Sequence, residues 1–445
     1  MRSGTQTSGT SRRLDAHSPV LDKPVLSMPW VGEYKWVYLV LILVAAAMHF
    51  WDLGSRALHH DESLHAIYSW YLYMGRGYQH DPMMHGPFQF HATALIYFLF
   101  GASDYTARLL PAIFGTALVG LPYFLRDQLG KRGVLIASLF LAISPGMLYF
   151  GRFARNDIYI AVWTTMMVIA LWRYQAEGRN RYLYLLAASL SLSFATKEVT
   201  YITVAIFGSY LFLSTAREVI PKLLKGFALS DLSPRAAIMV LMGTLALPQG
   251  AAAVELLKGV PVSSGAESLS PGSAIAVGSV AVLLAVSAAI GLRWNPRVWL
   301  TCAAIFYSIY VVLYTTVFTH PSGLGSGIWG SLHYWLAQQE VQRGGQPWYY
   351  YLVVLPIYEF LPLLFAVVGM IYFSIKREAF TVFLIYWTVG ALVLYSYAGE
   401  KMPWLSVHLA LPLILLAATT IDRLFRGMSW DDYREMRSWI FLLLL

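Results

Sequence analysis

Apolar stretches of about 17–25 residues recur along nearly the whole chain, with short charged segments between them. A stretch of that kind crosses a bilayer only as a helix, because no water is there to satisfy its backbone N–H and C=O groups. The pattern predicts an all-α polytopic membrane protein. Spans are expected near 36–52, 107–125, 133–150, 157–173, 182–196, 199–214, 236–255, 273–292, 298–317, 351–375, 380–398 and 404–421, with another starting at 439. That is about 12–13 transmembrane helices. Apolar residues make up 58% of the chain and charged ones 13%, which excludes an ordinary soluble domain. The net charge of +8 does not point to nucleic acid: the basic residues sit in small clusters between spans, where they suit topology and anionic lipids. The one cysteine, Cys302, lies inside a span, so no disulfide or cysteine metal cluster can form within the chain.

The stretch Phe88 to Gly101 is short for a crossing and follows the Gly86-Pro87 break, so it reads as a helix lying at the interface. With that choice, 23 of the 32 Lys and Arg residues fall on one side, while the 24 acidic residues divide evenly. The asymmetry places the N-terminus in the cytoplasm. Residues 1–35 are then expected as a disordered cytoplasmic tail and 36–421 as the transmembrane domain. Outer loops fall at 52–106, with interfacial helices, and at 318–350. Residues 422–445 read as a cytoplasmic segment and the start of a final helix.

The same topology gathers the unusual polar motifs on the outer side. They are His59-His60-Asp61-Glu62, His80-Asp81-Pro82, His85-Gly86-Pro87, Asp104 to Arg108, Gly151 to Asp157, Thr196-Lys197-Glu198 and Gly399 to Trp404. Carboxylates at a membrane surface are costly to desolvate and often mark chemistry. The bland alternative is that such charges merely end spans and pair with each other. Asp61 or Glu62 is a candidate general base toward a hydroxyl or amine. Asp157 is a candidate for orienting an acceptor or a cation. Arg108, Arg155 and Lys401 are candidates for holding phosphate, Arg as a bidentate partner and Lys as a compact charge. A base beside phosphate-binding cations at a lipid boundary suits group transfer from a phosphate-linked lipid, with the phosphate leaving.

At these residues the chain resembles the GT-C membrane glycosyltransferases. It is similar to the protein O-mannosyltransferases, to the aminoarabinose transferases, and to the flippase-activity-associated family related to archaeal N-glycosylation proteins. The resemblance runs over about residues 36–421 and rests on His60-Asp61-Glu62-Ser63, Arg152 to Asp157, Thr196-Lys197-Glu198 and Gly399 to Trp404. It implies Asp61 as the first catalytic acid, Asp157 as the second, and Arg108 as a contact to the donor phosphate. Where aminoarabinose transferases carry a basic Lys-Pro-Pro element, this chain has His85-Gly86-Pro87, and His85 carries charge only when protonated.

The expected reaction is transfer of a sugar from a polyprenyl-phosphate donor to a protein, lipid or glycan acceptor, by one inverting displacement. It would take place on the outer face of a prokaryotic cytoplasmic membrane. Glu62 and Asp157 would position acceptor or cation, Arg108, Lys401, Arg155 and His85 would hold the donor phosphate, and Lys197, Glu198 and Glu400 would support the site. Lys197 and Glu198 are expected to pair with each other. Asp61, Asp157 and His65 could share a divalent cation, although polar packing is the commoner role of such histidines. The Trp- and Tyr-rich 318–350 loop is the candidate acceptor surface. A lipid-linked sugar flippase or a non-catalytic subunit of a membrane complex are the rival readings.

Overall fold

The computed structural model describes residues 31–224, 229, 231–258, 269–341 and 344–426. The tail before residue 31 and the helix expected from 439 lie outside the described residues. The chain divides into two units after Val40. The described part of the first, 31–40, opens the helix Val31–Phe50. The second unit, from Leu41, holds everything that follows.

Each expected span up to 421 coincides with helix, and the described residues contain no strand. Among the described residues, six helices are long and apolar enough to cross a membrane, or seven with a bent pair counted as one. The sequence reading gave more because it admitted helices that carry polar groups or are short. Asp157–Glu177 includes Asp157, Arg173 and Glu177. Asn180–Phe194 is only 15 residues long and buries Ser189, Ser191 and Ser193. These groups face protein: Ser191 donates to the Phe306 carbonyl and Ser193 bonds Thr200.

Two expected spans are broken. The 133–150 stretch is two helices, Lys131–Ile143 and Pro145–Phe150, because Ser144 before the proline is extended (ψ 122°) and caps the Met147 N–H. The 351–375 stretch is Tyr350–Tyr358 and Phe360–Lys376, meeting at 110° around Glu359.

The segment Pro403–Leu424 is 94% buried over its apolar window, whereas Ala274–Trp294 is only 17% buried. Pro403–Leu424 is therefore the central element of the bundle, and Ala274–Trp294 offers its apolar sides to lipid. The helix Ser406–Leu424 packs on Lys131–Ile143, Phe360–Lys376 and Ala379–Tyr397. Between the first two long helical regions lie the short helices His60–Tyr73 and Phe88–Phe100, packed on each other with His65 stacked on Phe90.

The link between these two helices is tied to a distant turn through backbone. The Gly86 N–H donates to the Thr196 carbonyl (3.1 Å) and the Phe88 N–H to the Ala195 carbonyl (2.8 Å). A Cβ on Gly86 would stand 2.3 Å from the Ala195 carbonyl group, so no larger residue fits. Gly86→Ala should undock the 80–88 segment and cost about 1–3 kcal/mol. Thermal unfolding of the purified variant checks this; an unchanged midpoint would contradict the docking.

Candidate active site

The segments 52–62, 104–108, 151–157, 195–198 and 398–408 meet at one end of the bundle. Glu62 is the anchor. It stands third from the start of His60–Tyr73 and accepts the His59 N–H (3.0 Å), as in a capping box. It also accepts the Ala154 N–H (3.0 Å), both Nε and Nη2 of Arg108 (2.7 Å each), and Arg56 (3.3 Å). Burial raises its pKa, but the Arg108 hydrogen bonds and the two backbone donors outweigh that and hold the carboxyl below its ordinary value.

Arg108 is equally committed. Its remaining donors go to the carbonyls of Leu53 (2.8 Å), Arg56 (2.7 Å) and Ala57 (3.1 Å). All five of its N–H groups have partners, and none is left for a donor phosphate. Glu62 is likewise fully buried and positions neither acceptor nor cation. These two expected roles are corrected: the pair fixes the turn 53–57, the start of a helix and the 151–156 turn to one another.

Asp61, one residue earlier, points elsewhere, since successive helical residues diverge by about 100°. Its carboxylate is 24% exposed and accepts a 2.5 Å bond from Arg155. Arg155 sits over the Trp404 ring, 3.6 Å from its centroid, with Nε 3.8 Å from Asp157. Asp157 begins its helix, is buried, and accepts Lys197 at 2.7 and 3.0 Å and His408 at 3.0 Å.

Lys197 and Glu198 do not pair with each other, contrary to expectation. Lys197 goes to Asp157, and Glu198 takes the His85 ring at 2.7 Å. Burial lowers the Lys197 pKa, with Asp157 opposing the shift. Burial raises that of Glu198, but the His85 contact outweighs it and leaves the carboxyl below its usual range. His85 is held with φ +67°, a conformation that strains a side chain with a Cβ. Lys401 donates to the Ala398 carbonyl (2.8 Å) and so closes the turn that presents Glu400 and Trp404.

His85, Lys197, Glu198, Glu400 and Trp404, with Trp335 and Gln339 from the 318–350 segment, line a cavity of about 30 Å3. A larger hollow of about 340 Å3 is lined by Arg56, Arg108, Tyr149 and Arg152. It contains neither Asp61 nor Asp157.

The expected metal set does not assemble. Among the described residues no three His, Cys, Asp or Glu side chains gather as ligands. A guanidinium stands between Asp61 and Asp157, and the His65 Nδ1 is bound to the Asp61 backbone carbonyl (2.7 Å). Burial, helped by the nearby Arg155 charge, pushes His65 down to about 3, so its ring is neutral. Two groups escaped the sequence reading. His408 is a lone imidazole inside an apolar span, which is itself a signal. Trp404 was read only as part of a motif.

Comparison with known proteins bears on the fold. Residues 84–238 match the family described as dolichyl-phosphate-mannose-protein mannosyltransferase. Among solved structures, the apo oligosaccharyltransferase of Archaeoglobus fulgidus aligns with a TM-score of 0.57 at 15% identity. The alignment covers 93% of this chain and 53% of that one. ArnT from Cupriavidus metallidurans aligns at 0.52 in its apo state and 0.51 bound to undecaprenyl phosphate, with 16% identity in both. These alignments cover 91% of this chain and 61% or 62% of ArnT. The chain has the GT-C fold. No curated protein sequence matches significantly, and the chain spans only about half to three-fifths of these GT-C structures.

The anchor makes a prediction. Removing one partner of a buried, fully bonded pair leaves an uncompensated charge, at a cost of about 3–5 kcal/mol. Glu62→Ala and Arg108→Ala should each lower the unfolding midpoint sharply. Arg108→Lys should not restore it, because an ammonium cannot supply five donors. A stable Arg108→Lys protein would count against the arrangement.

Proposed function

We propose that this GT-C protein transfers a sugar from a polyprenyl-phosphate donor to a hydroxyl or amine acceptor. The observation that carries the reading is the contrast between the acids: Glu62 and Asp157 are buried and saturated, while Asp61 is part-exposed and bonded to Arg155, which rests on Trp404, a wall of the cavity that Lys197 also lines. Asp61 takes the acceptor proton. The acceptor oxygen or nitrogen then bonds to the anomeric carbon as the bond from that carbon to the phosphate oxygen breaks. The electron pair leaves with polyprenyl phosphate, and a single displacement inverts the anomeric centre. Arg155 and Lys197 stabilise the growing phosphate charge, with His85 at the cavity wall. Asp157 holds Lys197 and His408 in place.

The reading has two further supports. One is the undecaprenyl phosphate in the ArnT complex of the same fold. The other is the basic-residue asymmetry of the sequence, which favours the outer face of the membrane for this site. Trp335 and Gln339 bring the 318–350 segment to the cavity, where it would meet the acceptor. No step is routed through a metal ion, because the residues do not form a ligand set.

Asp61→Asn should keep the fold and lose about 10²–10⁴ in transfer rate, the usual weight of a positioned base. Radiolabelled sugar supplied on polyprenyl phosphate in proteoliposomes provides the measurement. Equal transfer by wild type and variant would remove Asp61 from the role. Lipid crossing with no transfer by wild type would favour a flippase.

A further inference from the structure

The candidate base is occupied. Arg155 holds one oxygen of the Asp61 carboxylate, Oδ2, at 2.5 Å. We propose that the phosphate of the donor draws Arg155 away from Asp61, so that the base is released only when the donor is bound. This rests on the transferase reading above and adds an order of events to it.

Four observations support the gate. First, Arg155 is short of partners: its Nε–H is buried and makes no hydrogen bond. A buried donor left unpaired is costly and favours an incoming acceptor. Second, Asp61 is less firmly held than Asp157. It has Arg155 as its one close cation, with the His59 ring at 4.0 Å, whereas Asp157 has Lys197, His408 and Arg155. Of the two acids beside Arg155, Asp61 is therefore the one from which an incoming phosphate can more readily draw the guanidinium. Third, Arg155 keeps its place without Asp61. Its guanidinium rests on Trp404, and the neighbouring Ala154 N–H is tied to Glu62. Fourth, a cavity of about 30 Å3 holds roughly one or two waters and no sugar phosphate. Donor entry must therefore move part of the lining.

The coupling is reciprocal. If phosphate competes with Asp61 for Arg155, then removing the Asp61 charge must strengthen phosphate binding. The test is the affinity of undecaprenyl phosphate, without sugar, for the full chain in neutral-lipid nanodiscs. Undecaprenol lacking phosphate is the control. Asp61→Asn should bind the phosphate tighter by on the order of tenfold, a difference of about 1.4 kcal/mol. Asp61→Ala should do the same, so the result does not depend on one variant folding well. Arg155→Ala should bind more weakly, and Asp61→Asn added to Arg155→Ala should gain nothing. Undecaprenol should not distinguish the proteins.

Unchanged or weaker binding by both Asp61 variants overturns the gate, as does a gain that persists without Arg155. If wild type transfers sugar and the gain is absent, only the gate fails. If the gain is present and no transfer occurs from any polyprenyl-phosphate sugar, the transferase reading fails and the coupling stands. A wild type that binds no undecaprenyl phosphate overturns both.

Discussion

A negative charge with no access to water organises this end of the molecule. Burying Glu62 would cost several kcal/mol if it stood alone. Arg108, Arg56 and two backbone N–H groups surround it instead, and Arg108 spends its other donors on three carbonyls of the 53–57 turn. The pair thereby joins three segments that are remote in sequence. Its value is geometric, because it sets where the next residues stand. Ala154 is clamped to Glu62 and Arg155 to Asp61, so two consecutive residues of one turn grip two consecutive residues of one helix.

That arrangement divides the acids by role. One helical step turns Glu62 into protein and leaves Asp61 part-exposed against Arg155. Asp157 repeats the logic of Glu62 with different cations: it is buried, saturated, and used to aim Lys197 and His408. Lys197 and Arg155, the two cations proposed to meet the leaving phosphate, are thus held by Asp157 and Asp61. The solved GT-C structures share only 15–16% identity with this chain, so the common element is the fold alone, and the site must be argued from its own side chains.

Much of the fold was legible because spans announce themselves by length and apolarity. The helix breaks carried signals too: Pro145 follows Ser144, and Glu359 interrupts an apolar run, although both stretches read as continuous spans. The grouping of charges at one end followed from where the basic residues fall between spans. Partner choice was not legible. Spacing along one chain cannot say that Lys197 reaches back to Asp157 while Glu198 takes His85, since both pairings depend on the packing of separate helices. Nor could it say which of two adjacent acids is buried, because that depends on where Arg108 arrives from. His408 was discoverable as the one ionisable group well inside the 404–421 span.

The account stands on the claim that these charges form a receptacle for a lipid-linked phosphate. The most direct measurement is an electron cryo-microscopy map of the full chain in nanodiscs with undecaprenyl phosphate. The account predicts phosphate density against the Arg155 guanidinium and Lys197, Asp61 no longer bonded to Arg155, and Glu62 still enclosed by Arg108. Phosphate seated beside Arg56 and Arg152 in the larger hollow, with Arg155 still on Asp61, would contradict it.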